Sequence, residues 1–292
     1  KAMRAEKMTD EKRKILGQLR MTEALYVLMS DFTRMPFVEC SEENYDDEVF
    51  VYFQEEDAKK EAERRCEKNE KVHVVKIASK FLLPFYTSLF PMGVNCICIG
   101  KGTGKEQEVQ LHELITRNRE EAEKKGIPLI ENPELHLTAL YFIQKLRALG
   151  EPKMTEELKE LNEEMMAHYM RGRYILGVTE KNAVPILKQK DGRVLQPIFT
   201  DMLEFNKFNR ENFFKASVMT ADKITGALAK GARGVVVNPM GVNLQLPITK
   251  RAASGPAKPL DPAKLAEAAV AEALREPEKP EVPLGDLGNS GE

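Results

Sequence analysis

DGRVLQPIFTDMLEFNKFN (191–209), KASVMT (215–220) and GARGVVVNPMGVNLQLP (231–247) decide the fold. With 221–230 between the last two, they read as strand, helix, strand, helix, strand, strand. Asp191-Gly192 signals a two-residue hairpin, because both turn positions need positive φ. Pro197 moves its strand toward an edge or a bulge, since it cannot donate to a ladder. Asp201 is placed to cap the next helix, with Glu204 completing a capping box. Met202, Phe205 and Phe208 recur at helical spacing and are expected to dock on the sheet. Gly231 stands where a left-handed helix C-cap belongs, and the unbroken VVV at 235–237 suits a strand covered on both faces.

Working outward, the same grammar recurs in the front half. LYVLM, VFVYF, KVHVVKIA and NCICIG are apolar runs of strand length, EVQLHEL is a fifth strand, and EEDAKKEAERRCEKN is a polar helix. LYVLMSDFTRMPFVE parallels RYILGVTEKNAVPILK, VFVYFQEED parallels QPIFTDMLE, and NCICIGKGTGKEQEVQL parallels GVVVNPMGVNLQL with a longer turn. PMGVN occurs at both 91–95 and 239–243. Matching those copies leaves the central VVV without a counterpart, so the identity is treated as chance. Helices are expected at 115–125, 133–149 and 154–170, and the charged amino-terminal segment places Ile15, Leu16 and Leu19 on one helical side.

The expected architecture is therefore α+β: two related mixed-sheet domains with helices packed on the sheets, joined by a helical segment. The boundaries are 1–24 for an N-terminal helical segment, 25–130 for the first domain, 131–170 for a helical connector and 171–250 for the second domain. Residues 251–292 form an Ala/Pro/Glu-rich tail, mostly disordered, with one helix beginning at Asp261-Pro262.

Composition sets the function classes. A net charge of -2 over 292 residues gives no global field toward nucleic acid. No apolar run approaches the roughly 20 residues that span a bilayer. No membrane or nucleic-acid partner is expected, and a cytoplasmic location follows as the default. Four cysteines are too irregular for a disulfide framework. Cys96 and Cys98 alternate on one strand face and read as small core residues rather than a thiol pair for metal or redox work.

GKGTGK (100–105) follows a strand but has Ile99 where a phosphate-binding loop needs glycine and Glu106 where it needs Ser or Thr. It reads as a hairpin turn. His73, His112, His136 and His168 share no metal-ligand spacing. No catalytic residue, cofactor or metal site is assigned. Phe199-Thr200-Asp201 and Asn238-Pro239 fall at carboxyl ends of strands, where clefts form in open sheets. Together with Phe205 they are the candidate interaction groove for a peptide or small ligand; helix capping and turn formation are the alternative use of the same residues.

The YILGV strand, the DGRVLQPIFTDMLEFNKF strand-into-helix, the short helix before GARGVVVNP and the closing NLQLP together resemble the N-terminal domain of the bacterial SseB family. The resemblance spans about 170–250, and more weakly 25–115. It implies a protein-interaction or regulatory module with unknown protein partners and no established enzymatic activity. The alternatives are an enzyme or small-ligand sensor with its site between the two domains, and a secretion-system-associated component, which rests on a shared name.

Overall fold

The protein is described by a computed structural model, in which residues 10–117, 124, 129–150 and 153–248 are placed. The expected tail helix and most of the 115–125 helix lie outside these residues; residues 115–117 are not helical. The fold is mixed α+β, in two compact units that meet in sequence between Leu129 and Ile130.

The first unit begins with α1 (Asp10–Met21), which buries Ile15, Leu16 and Leu19. There follow β1 (Ala24–Ser30), β2 (Val38–Cys40), β3 (Asp47–Tyr52), α2 (Glu55–Glu67), β4 (Val72–Ala78), α3 (Ser79–Leu89), β5 (Cys96–Ile99), β6 (Gln107–Gln110) and α4 (Leu111–Leu114). The sheet order is β4-β1-β3-β5-β6, with β2 also on β3. Only β3 and β5 run parallel. Leu28, Phe50, Tyr52, Val72 and Cys98 pack on Ala58 and Ala62 of α2. Val27, Val49, Val51 and Ile97 alternate to the other face and are equally buried, so the central strands read as continuous apolar runs. α3 was not expected, because Pro84 interrupts its sequence; it forms anyway, with Pro84 exposed and Leu82, Tyr86 and Leu89 buried. EVQLHEL is a strand only to Gln110 and then turns into α4.

The second unit starts with two packed helices, α5 (Pro133–Ala148) and α6 (Glu156–Arg171). The Thr155 hydroxyl caps α6, accepting from the Leu158 N–H at 3.2 Å. Then come β7 (Arg173–Val178), β8 (Leu187–Lys188), β9 (Val194–Ile198), α7 (Met202–Phe208), β10 (Lys215–Thr220), α8 (Ala221–Ile224), β11 (Gly234–Val237) and β12 (Leu244–Pro247). β12-β11-β9-β8 form one ladder, β10 pairs β7, and the single bridge Ile175↔Phe199 joins β7 to β9. The helix after Thr220 is only one turn, shorter than 221–230. Met202 is exposed, while Phe205 docks among Ile130, Ile175 and Phe199.

Pro197 sits on neither an edge nor a bulge. Ile198 O accepts from Asn238 N, and Phe199 exchanges both bonds with Ile175, so the nitrogen of Pro197 points to the β7–β8 side. That is the gap between the β8 pairing, which ends at Leu195, and the bridge at Phe199. A missing donor costs little where no acceptor is in register.

The two sheets share one topology. β7-β12 repeat β1-β6 in order, in neighbour and in sense, including one parallel pair, β9 with β11. The special backbone positions coincide. Gly93 (φ 87) and Gly231 (φ 88) each stand three residues before the central strand. Gly100 (φ 70) and Asn238 (φ 49) each follow it, donating to Val51 O at 2.9 Å and Ile198 O at 3.0 Å. Thus Asn238 answers to Gly100, Phe199 to Tyr52 and Asp201 to Gln54. The two PMGVN copies precede β5 and follow β11, so they occupy opposite ends of corresponding strands.

Two alanine substitutions separate backbone from steric constraint. Gly231→Ala meets no atom within 4 Å, so it should cost about 1–2 kcal/mol, from left-handed strain alone. Gly234→Ala would place its Cβ 2.2 Å from Leu246 O and should cost more, about 3 kcal/mol. Denaturant unfolding of the two variants checks the order.

Candidate functional site

The six residues read from the sequence as a groove are all buried. Asp201 caps α7: its Oδ1 accepts from Leu203 N at 2.9 Å and Glu204 N at 3.0 Å. Its Oδ2 accepts from the Thr200 hydroxyl at 2.7 Å and stands 4.0 Å from His136 Nδ1 on α5. Asn238 closes the network: its Oδ1 accepts from Thr200 N at 3.0 Å, and its Nδ2 donates to Thr200 Oγ1 at 2.8 Å. Asn132, just before α5, donates to both Arg173 O and Thr200 O at 2.8 Å. Phe199 packs edge-on against Phe205, and Pro239 is a buried residue of the turn after β11.

The structure therefore brings the six together as an interior strap and leaves no open groove at them. The physical reason is satisfaction: the polar groups of Thr200, Asp201 and Asn238 are taken up by a cap and by one another, as burial demands. Asn132 and His136 join the strap without having been singled out for it, because nothing in local sequence brings α5 to the end of β9.

In the first unit the corresponding positions, Phe53, Gln54 and Gly100, make no such strap, and α2 has no side-chain cap. Polar chemistry is buried elsewhere. Glu48 on β3 is fully buried, with Lys101 Nζ 3.6 Å away and the Cys96 thiol at 4.0 Å. Burial outweighs Lys101 and pushes the Glu48 carboxyl up to about 7. Burial, and then Glu48, raise the Cys98 thiol to about 12, so it stays protonated as a core residue. Arg65 of α2 lies 5.1 and 5.0 Å from the Phe37 and Phe50 ring centres and bonds Glu39, Glu61 and Glu70.

The GKGTGK loop is the β5–β6 turn. Gly100, Gly102 and Gly104 all have positive φ, and the N–H groups of Gly102 and Gly104 donate to Glu106 Oε1 at 2.9 and 3.3 Å. The loop's own carboxylate fills the concavity that such successive amides make for anions. Among the described residues no His/Cys/Asp/Glu group forms a metal cradle, and no helix is long and apolar enough to cross a membrane.

Each sheet ends in two outer strands, β4 and β6 in the first unit and β10 and β12 in the second, and β4 and β10 hold the corresponding place. Lys71 O accepts from Asp31 N at 2.9 Å, which fixes the alternation of β4: the backbone groups of His73, Val75 and Ile77 turn to β1. Those of Val74 and Lys76 turn outward. In the second unit the Ile175–Phe199 pair turns Tyr174, Leu176 and Val178 toward β10, leaving Ala216, Val218 and Thr220 outward. Among the described residues β4 pairs only with β1, and β10 only with β7. Phe213, just before β10, is 69% exposed.

No family model and no curated protein matches the chain. Two solved structures are similar to it: Tic22 from Plasmodium falciparum, 13% identical over 72% of this chain and 84% of that chain at a TM-score of 0.21, and Anabaena Tic22 (protein transport), 10% identical over the same shares at 0.20. Likeness at those scores carries no argument about this chain.

Two outcomes test the buried chemistry. Because the folded Glu48 carboxyl sits near 7 against an ordinary 4.5, its folded state keeps a proton that the unfolded chain has released. Stability is therefore full below about pH 4.5 and declines as pH rises through 7, by on the order of 2 kcal/mol. Glu48→Gln should flatten that decline in urea titrations from pH 5 to 8. Asp201→Ala should cost about 2 kcal/mol, through the lost cap and an orphaned Thr200 hydroxyl, while Gln54→Ala at the corresponding helix start should cost about 0.5 kcal/mol or less.

Proposed function

We propose that the chain is a non-enzymatic protein-interaction module that receives an extended segment of a partner as an added strand. Strand addition needs a run of unpaired backbone donors and acceptors beside side chains that a new strand can cover. β4 and β10 supply both, and the observation that carries the reading is their recurrence: in each unit the same topological position is an apolar strand bonded on one side only. The SseB-like order of motifs supports the same class of role.

Proline at an outward-facing edge position removes one donor while leaving the inner ladder intact. Lys76→Pro and Val218→Pro together should abolish capture of protein partners from the native cell, with far-ultraviolet circular dichroism unchanged. Retention of the same partners by the folded double variant would move the interaction off the edges.

A further inference from the structure

We infer that β4 is the receiving edge for an acidic extended peptide segment. The inference rests on the strand-addition reading and gives it a chemistry. The ten residues 71–80 carry Lys71, Lys76 and Lys80 and no acidic residue. All three lysines are exposed, and none has a carboxylate partner among the described residues. Lys76 Nζ lies 6.0 Å from the Tyr26 ring centre and Lys80 Nζ 4.9 Å from that of Phe81, so aromatic faces hold two of them in place.

Two of the carboxylates nearest these lysines in sequence are already committed. Asp31 is held to His73 Nδ1 at 2.6 Å, and Glu70 to Arg65 at 3.2 Å. A strand laid along β4 thus meets outward amides at Val74 and Lys76, the half-buried Val74 and Val75, and lysines at both ends and in the middle. At about 3.3 Å per residue, Lys71 and Lys76 stand roughly 17 Å apart, the length of a five- to six-residue strand.

The same charges reject the commonest wrong partner. A second copy of β4 added edge to edge would bring lysines beside lysines, which disfavours self-pairing. β10 has no such selectivity: Lys215 is paired with Glu180 at 3.5 Å, and its outward residues Ala216, Val218 and Thr220 are neutral.

The test uses the full chain and three capped peptides: Glu-Glu-Val-Thr-Val-Thr-Glu-Glu, and the same sequence with glutamine or with lysine at the four glutamate positions. The acidic peptide should bind saturably, less tightly as salt is raised, and should slow hydrogen exchange at the Val74 and Lys76 amides. The lysine peptide should leave them unchanged. Replacing Lys71, Lys76 and Lys80 by glutamine should weaken the acidic peptide about tenfold. Equal binding of all three peptides at β4 would overturn the charge inference and leave strand addition standing. Protection at Ala216 and Val218 in place of β4 would overturn the choice of edge. No protection at any of the outer strands β4, β6, β10 and β12 by any peptide would overturn strand addition itself.

Discussion

The parallel pairing of the two central strands governs everything else in each unit. Parallel neighbours cannot be joined by a hairpin; the chain must leave the sheet, cross over and return. Here the crossover from β3 to β5 contains α2, β4 and α3, and the crossover from β9 to β11 contains α7, β10 and α8. A strand inside a crossover finds the centre of the sheet occupied, so it adds outside β1 or β7. The open edge is thus a consequence of the topology. It accompanies the two-sided burial of Val49–Val51 and Val235–Val237 on the parallel pair.

Sharing a scaffold, the two units spend buried polarity differently. At the end of β9 the second unit builds Thr200, Asp201 and Asn238 into a strap in which donors and acceptors match. The first unit has Phe53, Gln54 and Gly100 at those positions and takes the conformational freedom of glycine in place of hydrogen bonds. Within β3 it buries Glu48, on the same face as Phe50 and Tyr52; two residues before Pro197, the second unit has Leu195, which packs with Leu187 and Val236. A carboxylic acid where the sister unit keeps leucine sacrifices stability at neutral pH. Nothing in the packing of the first unit requires it.

Much of this was legible in the sequence because the signals were local. Asp201 announced its cap and the VVV run its two-sided burial; Gly231 has the left-handed backbone of a C-cap, but the helix ends at Ile224 and the glycine serves a later turn. The duplication was legible in the order of motifs, and the two PMGVN copies are not equivalent, since Gly93 corresponds to Gly231 and not to Gly241. Three things were hidden. Pro197 signalled an edge but sits at a gap inside the sheet, because ladder register depends on where β7 stops and β8 begins. α3 was masked by Pro84, and the helix forms because Leu82, Tyr86 and Leu89 are buried along its inner side. The burial of Thr200, Asp201 and Asn238 was not readable, because burial at a strand end depends on α5, distant in sequence.

Edges are ordinarily defended, and the manner of defence distinguishes the two here. A lysine at the middle of an edge strand commonly prevents aggregation by making any added strand pay for a buried ammonium. Lys76 does this only toward neutral or basic strands, because its stem lies along Tyr26 and its charge has no carboxylate of its own to satisfy it. The same side chain that blocks a second β4 therefore stabilises an acidic segment. β10, with Lys215 neutralised by Glu180, lacks both the block and the attraction. One topological accident, repeated twice, thus yields one edge able to choose its partner and one that is not, and the difference lies in where the lysines find their counter-charge.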